Sequence, residues 1–310
     1  MNPFLQPLSR QIRPKRLIRL LIHWMVCAFV LNGAAVAAGG TLSPVHHDLV
    51  IAFDAVSGEA RIRDQVTLHP GGMAAASLVF ALHRNFRLEP VEIPHTGEWA
   101  VLVTEDNLGG TPVHQIEVKK PAGAPWPDFL QLKFKYAGPY RGLPPAATGA
   151  AAEARDAPGN FETLFLSGES YFYPVLTMEE EAPLLTFSLE TVTPPGWTVV
   201  SPGKRTGQTQ GAGRGVTFWQ SDDPTPEVVL TADRYHESQT TLDLVTVYVF
   251  LKQNDPALAK RYLDAAKCYL TFYEKLLGPY PFVKFAIVEN SAQTGWGLPS
   301  FTLLGSRVIR

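Results

Sequence analysis

A single helical repeat limits what this chain can fold into. Leu258, Tyr262, Ala265, Tyr269, Phe272 and Leu276 recur at spacings of 4, 3, 4, 3 and 4, one continuous face of an α-helix. Asp255 suits the N-cap, Pro256 the first helical position, and Gly278-Pro279 ends the run. Nothing between His46 and Leu251 shows that period. The segments 48–53, 59–68, 77–82, 113–119, 129–136, 161–166, 184–192, 216–220, 227–232 and 242–251 read instead as short strands separated by turns. Val56-Ser57-Gly58 joins the first two as a hairpin, and Ala60, Ile62, Val66 and Leu68 alternate with polar residues as in a half-buried antiparallel strand. Residues 143–159, rich in Ala, Pro and Gly, and the polar, glycine-rich 201–215 read as loops, the second as a long hairpin tip. The fold class expected is mainly β: a saddle-like antiparallel sheet or sandwich domain over 45–251, then the beginning of an α/β domain over 255–310.

Residues 1–37 read as an export segment. Arg10, Arg13, Lys15, Arg16 and Arg19 precede an apolar stretch over 20–31 and then Ala35-Val36-Ala37, a small-residue cleavage pattern. The apolar run falls short of the roughly 20 residues that span a bilayer. The expectation is a cleaved signal peptide rather than an N-terminal anchor, an exported protein of the periplasm or cell envelope, and membrane contact only through that segment. Cleavage leaves 22 Lys and Arg against 29 Asp and Glu. That acidic balance argues against nucleic acid or an anionic membrane surface as partner. Cys268 alone remains, so this stretch forms no disulfide within itself.

The end of the chain carries the chemistry-bearing motif. Tyr280-Pro281-Phe282 leads into an apolar strand over 283–288, and then comes Ala292-Gln293-Thr294-Gly295-Trp296-Gly297-Leu298. This order resembles the approach to the zinc site in the membrane alanyl aminopeptidase family of gluzincin metallopeptidases. There a Tyr-Pro-Phe turn and a strand precede Gly-x-Met-Glu-Asn-Trp-Gly-Leu. Weaker likenesses fall in the same order upstream: His46-His47-Asp48-Leu49 before the Gly58 turn, Ser170-Tyr171-Phe172-Tyr173-Pro174 before Glu181-Ala182-Pro183, Pro195-Gly196-Trp197, and Trp219 through Pro226.

The resemblance implies a thermolysin-like catalytic domain beginning near residue 255, a peptide or protein substrate, and a zinc cofactor in a full-length member. It implies that Gln293, Thr294, Gly295, Trp296 and Gly297 line the substrate cleft. The motif departs from the family, because Gln293, Thr294 and Gly295 replace Met-Glu-Asn. Thr294 then stands where a glutamate would hold the substrate's α-amine, and a hydroxyl supplies no countercharge. The His-Glu-x-x-His zinc motif is not in this sequence, so it offers no catalytic residue, no metal ligand and no cofactor of its own. On the residues alone, Gln293–Gly297 also reads as a simple turn between strands.

Other candidates read blandly. None of the eight histidines has a partner four residues away on a helix. His46 and His47 open a strand, where neighbours point to opposite faces, so they cannot share an ion. Glu179-Glu180-Glu181 reads as a solvated loop, Asp222-Asp223 as turn chemistry, and Cys268 as lying off the helix's apolar face. Two functions stay open: the N-terminal region of an exported zinc metallopeptidase, or a non-catalytic β-rich envelope module on the same scaffold. One physical difficulty accompanies the first. A sheet formed beyond residue 255 has two faces, and the single helix there covers one, leaving an apolar patch exposed.

Overall fold

Strands with every second residue buried build most of the molecule. The computed structural model describes residues 44–54, 56–141, 143, 164–178, 183–211, 213–291, 293 and 295–310. Residues 1–37, read as an export segment, residues 144–159, Glu179–Glu181 and Thr294 lie outside them. Strands β1 (Val45–Phe53), β2 (Glu59–Leu68) and β7 (Leu130–Pro139) bury one face each, as their alternating sequences dictate. With β4 (Arg87–Leu88), β10 (Leu185–Thr193), β12 (Lys204–Gln210) and β13 (Gly215–Thr225) they form a seven-stranded sheet, ordered β12-β13-β10-β1-β2-β7-β4. All its neighbours run antiparallel except β1 and β10, which are parallel.

Two smaller sheets complete this region. One is ordered β5-β6-β3-β9, from Ala100–Leu108, Thr111–Lys119, Ser77–His83 and Val175–Thr177. The other is ordered β11-β14-β8, from Thr198–Val200, Leu230–Asp233 and Leu164–Leu166. Their inner faces share one core with the seven-stranded sheet, centred on Phe80, Phe134, Phe187 and Trp219.

A fourth sheet is built differently. Its order is β15-β16-β17-β19-β18, from His236–Leu242, Val245–Leu251, Lys284–Asn290, Phe301–Gly305 and Gly295–Leu298. β16, β17 and β19 are parallel, and their near-continuous apolar sequences bury both faces. Helix α1 (Pro256–Leu277) is the crossover from β16 to β17. It starts as read: the Asp255 carboxylate accepts the Leu258 amide at 2.9 Å, and Gly278, at φ 96°, ends the helix. A final turn of helix, α2 (Ser306–Ile309), closes the chain.

The structure revises four readings. First, hydrogen bonding joins residues 236–251 to the fourth sheet, although their position places them at the end of the β region. Second, the buried face of α1 is Leu258, Ala259, Leu263, Ala266, Leu270 and Tyr273. Of the stripe read from the sequence, Tyr262, Ala265 and Tyr269 are half-buried, while Phe272 and Leu276 are exposed. The helix carries two adjacent apolar stripes, and the sheet takes the one whose alanines allow close approach. Third, both faces of the fourth sheet are covered. Val247, Val249, Phe285 and Ile287 pack under α1, while Tyr248, Phe250, Ala286, Val288 and Phe301 join the core of the β region. The expected bare apolar face is filled by the preceding domain. Fourth, 201–215 contains β12, and unread strands such as β5, β12 and β15 are edges with no fully buried residue.

Candidate functional site

The candidate residues Gln293 to Gly297 sit on and just before β18, the edge strand of the fourth sheet. Residues 295–298 form a strand antiparallel to β19, with Trp296 opposite Leu303 and Gly297 opposite Thr302. Its side chains alternate. Trp296 and Leu298 turn inward onto the large core, and Gly295 and Gly297 are exposed. The outward face therefore carries no Cβ, and nothing lies within 4 Å of the position one would take at Gly297. Bare backbone on an open edge offers main-chain donors and acceptors to an extended chain.

Trp296 fixes this strand. Its ring meets that of Phe165 on β8 at 5.0 Å between centroids and 48° between planes. Its carbonyl accepts the Thr302 hydroxyl at 3.0 Å. Gln293 is exposed and braces the other end, its side-chain oxygen accepting the Arg307 amide at 2.9 Å and its amide donating to the Ser291 carbonyl. Ala292 and Thr294 lie outside the described residues. Sequence reading singled out Trp296 and left Phe165 as one residue of a strand, because a contact between positions 165 and 296 has no local signature.

A second polar cluster lies at the carboxyl ends of the parallel strands, where open α/β sheets place ligands. Glu289, buried at the end of β17, accepts the Lys252 amide at 2.8 Å, the Ser306 hydroxyl at 2.9 Å, and Nε and Nη2 of Arg310 at 3.2 and 3.1 Å. Every bond it makes ties one chain segment to another, so it is committed to structure rather than to a proton transfer. Its sequence signal was a lone acid closing an apolar strand.

The described histidines do not converge. His47 is buried, its Nδ1 2.8 Å from Asp64 Oδ2 on the neighbouring strand, while His46 on the opposite face meets Thr186 at 2.7 Å. The pair divides between faces as expected, but His47 is a core residue rather than a strand-end surface one. Burial raises the Asp64 carboxyl above the ordinary aspartate range, against the pull of His47. His69 and His114 are held by backbone carbonyls, and His236 is exposed beside a shallow groove lined by Glu237, Ser238, Asn254 and Asp255. Among the described residues no group of three or more His, Cys, Asp or Glu is placed to hold a metal. The residues present therefore do not fit a zinc ion, and no catalytic step through zinc is derived for them. Among the same residues no helix is long and apolar enough to cross a membrane.

Taken together, a β region and a parallel sheet under one helix define the fold of the N-terminal part of the M1 zinc metallopeptidases. An M1 zinc metallopeptidase from Deinococcus radiodurans superposes with a TM-score of 0.58 at 14% identity, over 86% of this chain and 61% of its own. A point mutant of a two-domain M1 zinc metallopeptidase bound to L-arginine gives 0.59 at 14%, over 86% and 62%. This chain thus spans about three-fifths of the length of these structures. No protein-family model matches the sequence, and no curated protein matches it.

Proposed function

We propose that this chain is the N-terminal region of an exported zinc-dependent metallopeptidase of aminopeptidase type, and that it supplies one wall of the peptide cleft. The observation that carries the reading is β18: an open edge with two bare glycines outward, locked from behind by Trp296 on Phe165. A substrate backbone can pair along such an edge, with side-chain selection left to neighbouring surfaces. The zinc of the family would polarise the scissile carbonyl and activate water, and its ligands would come from polypeptide beyond Arg310. Within this chain the work is binding and orientation. With Gln293, Thr294 and Gly295 in place of Met-Glu-Asn, selection for a free α-amine is weakened. Export rests on the basic and apolar pattern of residues 1–37.

The coding sequence past Arg310 tests this. A helix bearing His-Glu-x-x-His, followed by a downstream glutamate, is the expected finding. A stop codon directly after Arg310 would overturn it. The second reading, a non-catalytic envelope module, is favoured by one observation: both faces of the fourth sheet are already covered.

A further inference from the structure

The seam between the seven-stranded and five-stranded sheets encloses a lysine that no carboxylate reaches among the described residues. Lys284 opens β17 with only 1% of its surface accessible. Its Nζ donates to the Ser201 carbonyl of the β region and lies 4.3 Å from the ring centroid of Trp219 on β13 and 5.1 Å from that of Phe301 on β19. Among the described residues, the titratable groups facing it offer no countercharge. From β12 comes another cation, Arg205, whose guanidinium sits 4.8 Å over the Tyr248 ring of β16. From β15 comes Glu237, but both its oxygens are bound to Arg205, at 2.6 and 2.7 Å. The Tyr280 hydroxyl donates to the backbone carbonyl of Lys284.

An ammonium in this position loses its water, meets one carbonyl and two ring faces, and stands near a second cation. Aromatic faces attract a cation but do not replace full hydration. Burial and then Arg205 accordingly hold the amine well below the ordinary lysine range. Two further contacts join the β region to the five-stranded sheet: Gly203 N–H to the Ser300 hydroxyl at 3.2 Å, and Phe165 of the three-stranded sheet to Trp296.

We propose that Lys284 is a proton-operated latch between the two layers: the neutral amine fits the closed seam, and uptake of a proton opens it, loosening the anchorage of β18. This stands independently of the peptidase reading, since it concerns only residues of the seam. The sign follows from linkage. The closed-state value is depressed, so the latch contributes fully above the unfolded lysine value and is lost as pH falls toward the closed-state value. Across that window opening takes up one proton, and its equilibrium constant rises tenfold for each unit of pH lowered.

Hydrogen exchange tests the latch in the full chain, comparing wild type with Lys284→Met at each pH between about 7 and 10. Referring one protein to the other at the same pH cancels the intrinsic chemistry of exchange. Amides of 199–205 and 284–290 should open more readily in the wild type, by a ratio growing tenfold per unit as pH falls until the closed-state value is passed. Amides of β2 should show a constant ratio. A pH-independent ratio at the seam, or an equal change in β2, would overturn the proposal. Nitrogen NMR of the lysine amines in the wild type needs no variant. One amine titrating well below the others is expected, and all of them titrating together in the ordinary lysine range would refute it.

Discussion

Removing the Phe165 and Trp296 rings, singly and together, measures how firmly the β region holds the candidate cleft strand. Complete removal of a fully buried large aromatic costs about 3–5 kcal/mol. Both rings are half-buried, so about 2 kcal/mol is expected for Trp296→Ala and slightly less for Phe165→Ala. Each loss includes contacts with other neighbours, which the double variant allows to be subtracted. What remains is the ring-on-ring term. At 5.0 Å and 48° the geometry is a tilted pair, for which about 0.5–1.5 kcal/mol of coupling is typical. Urea unfolding of the four proteins, followed by far-UV and near-UV circular dichroism, supplies the cycle, provided the m-values agree. A coupling within about 0.3 kcal/mol of zero, inside the usual additivity error, would mean that the rings do not act on each other. The account of β18 as a strand positioned from across the interface would then fail.

Two further outcomes follow from the packing and the electrostatics. Leu270→Ala, at 1% exposure, should cost about 2–5 kcal/mol, whereas Phe272→Ala, at 54%, should stay within about 1 kcal/mol in thermal or urea unfolding; the reverse ranking would restore the helix face read from the sequence. Glu227 accepts the Gly168 amide at 2.7 Å, and burial raises its carboxyl above the ordinary glutamate range. Its stabilising share is therefore complete at acid pH and lost as pH rises through the folded value. Glu227→Gln, which keeps the acceptor, should match the wild type at acid pH and gain on it above that range; a difference that does not change with pH would contradict this.

The legible parts of this fold are those where one residue's surroundings follow from its near neighbours. β2 could be read because Ala60, Ile62, Val66 and Leu68 alternate against a solvent face, and α1 because Asp255, Pro256 and Gly278 mark both ends. Edge strands could not. Lys204–Gln210 buries no residue fully, its inner face being only half-buried at Arg205 and Gly207, so its sequence shows no apolar alternation, and its pairing with β13 is a tertiary fact. The helix face was misjudged because two stripes differ by a turn of one residue, and only the sheet beneath chooses between them. Trp296 was legible as part of a motif, but its partner lies 131 positions away. Nothing local marks Lys284 within the apolar run 283–288. Its burial depends on Ser201, Trp219 and Phe301 arriving from three separate elements.

The central claim is that this chain forms one wall of a zinc peptidase's cleft. It is tested most directly by assaying peptide hydrolysis with the natural protein, purified from its source at its full mass, before and after metal chelation and after zinc is restored. The account predicts cleavage that chelation abolishes and zinc restores. A natural protein that leaves peptides intact with zinc present would contradict it, and would leave the scaffold as a binding module.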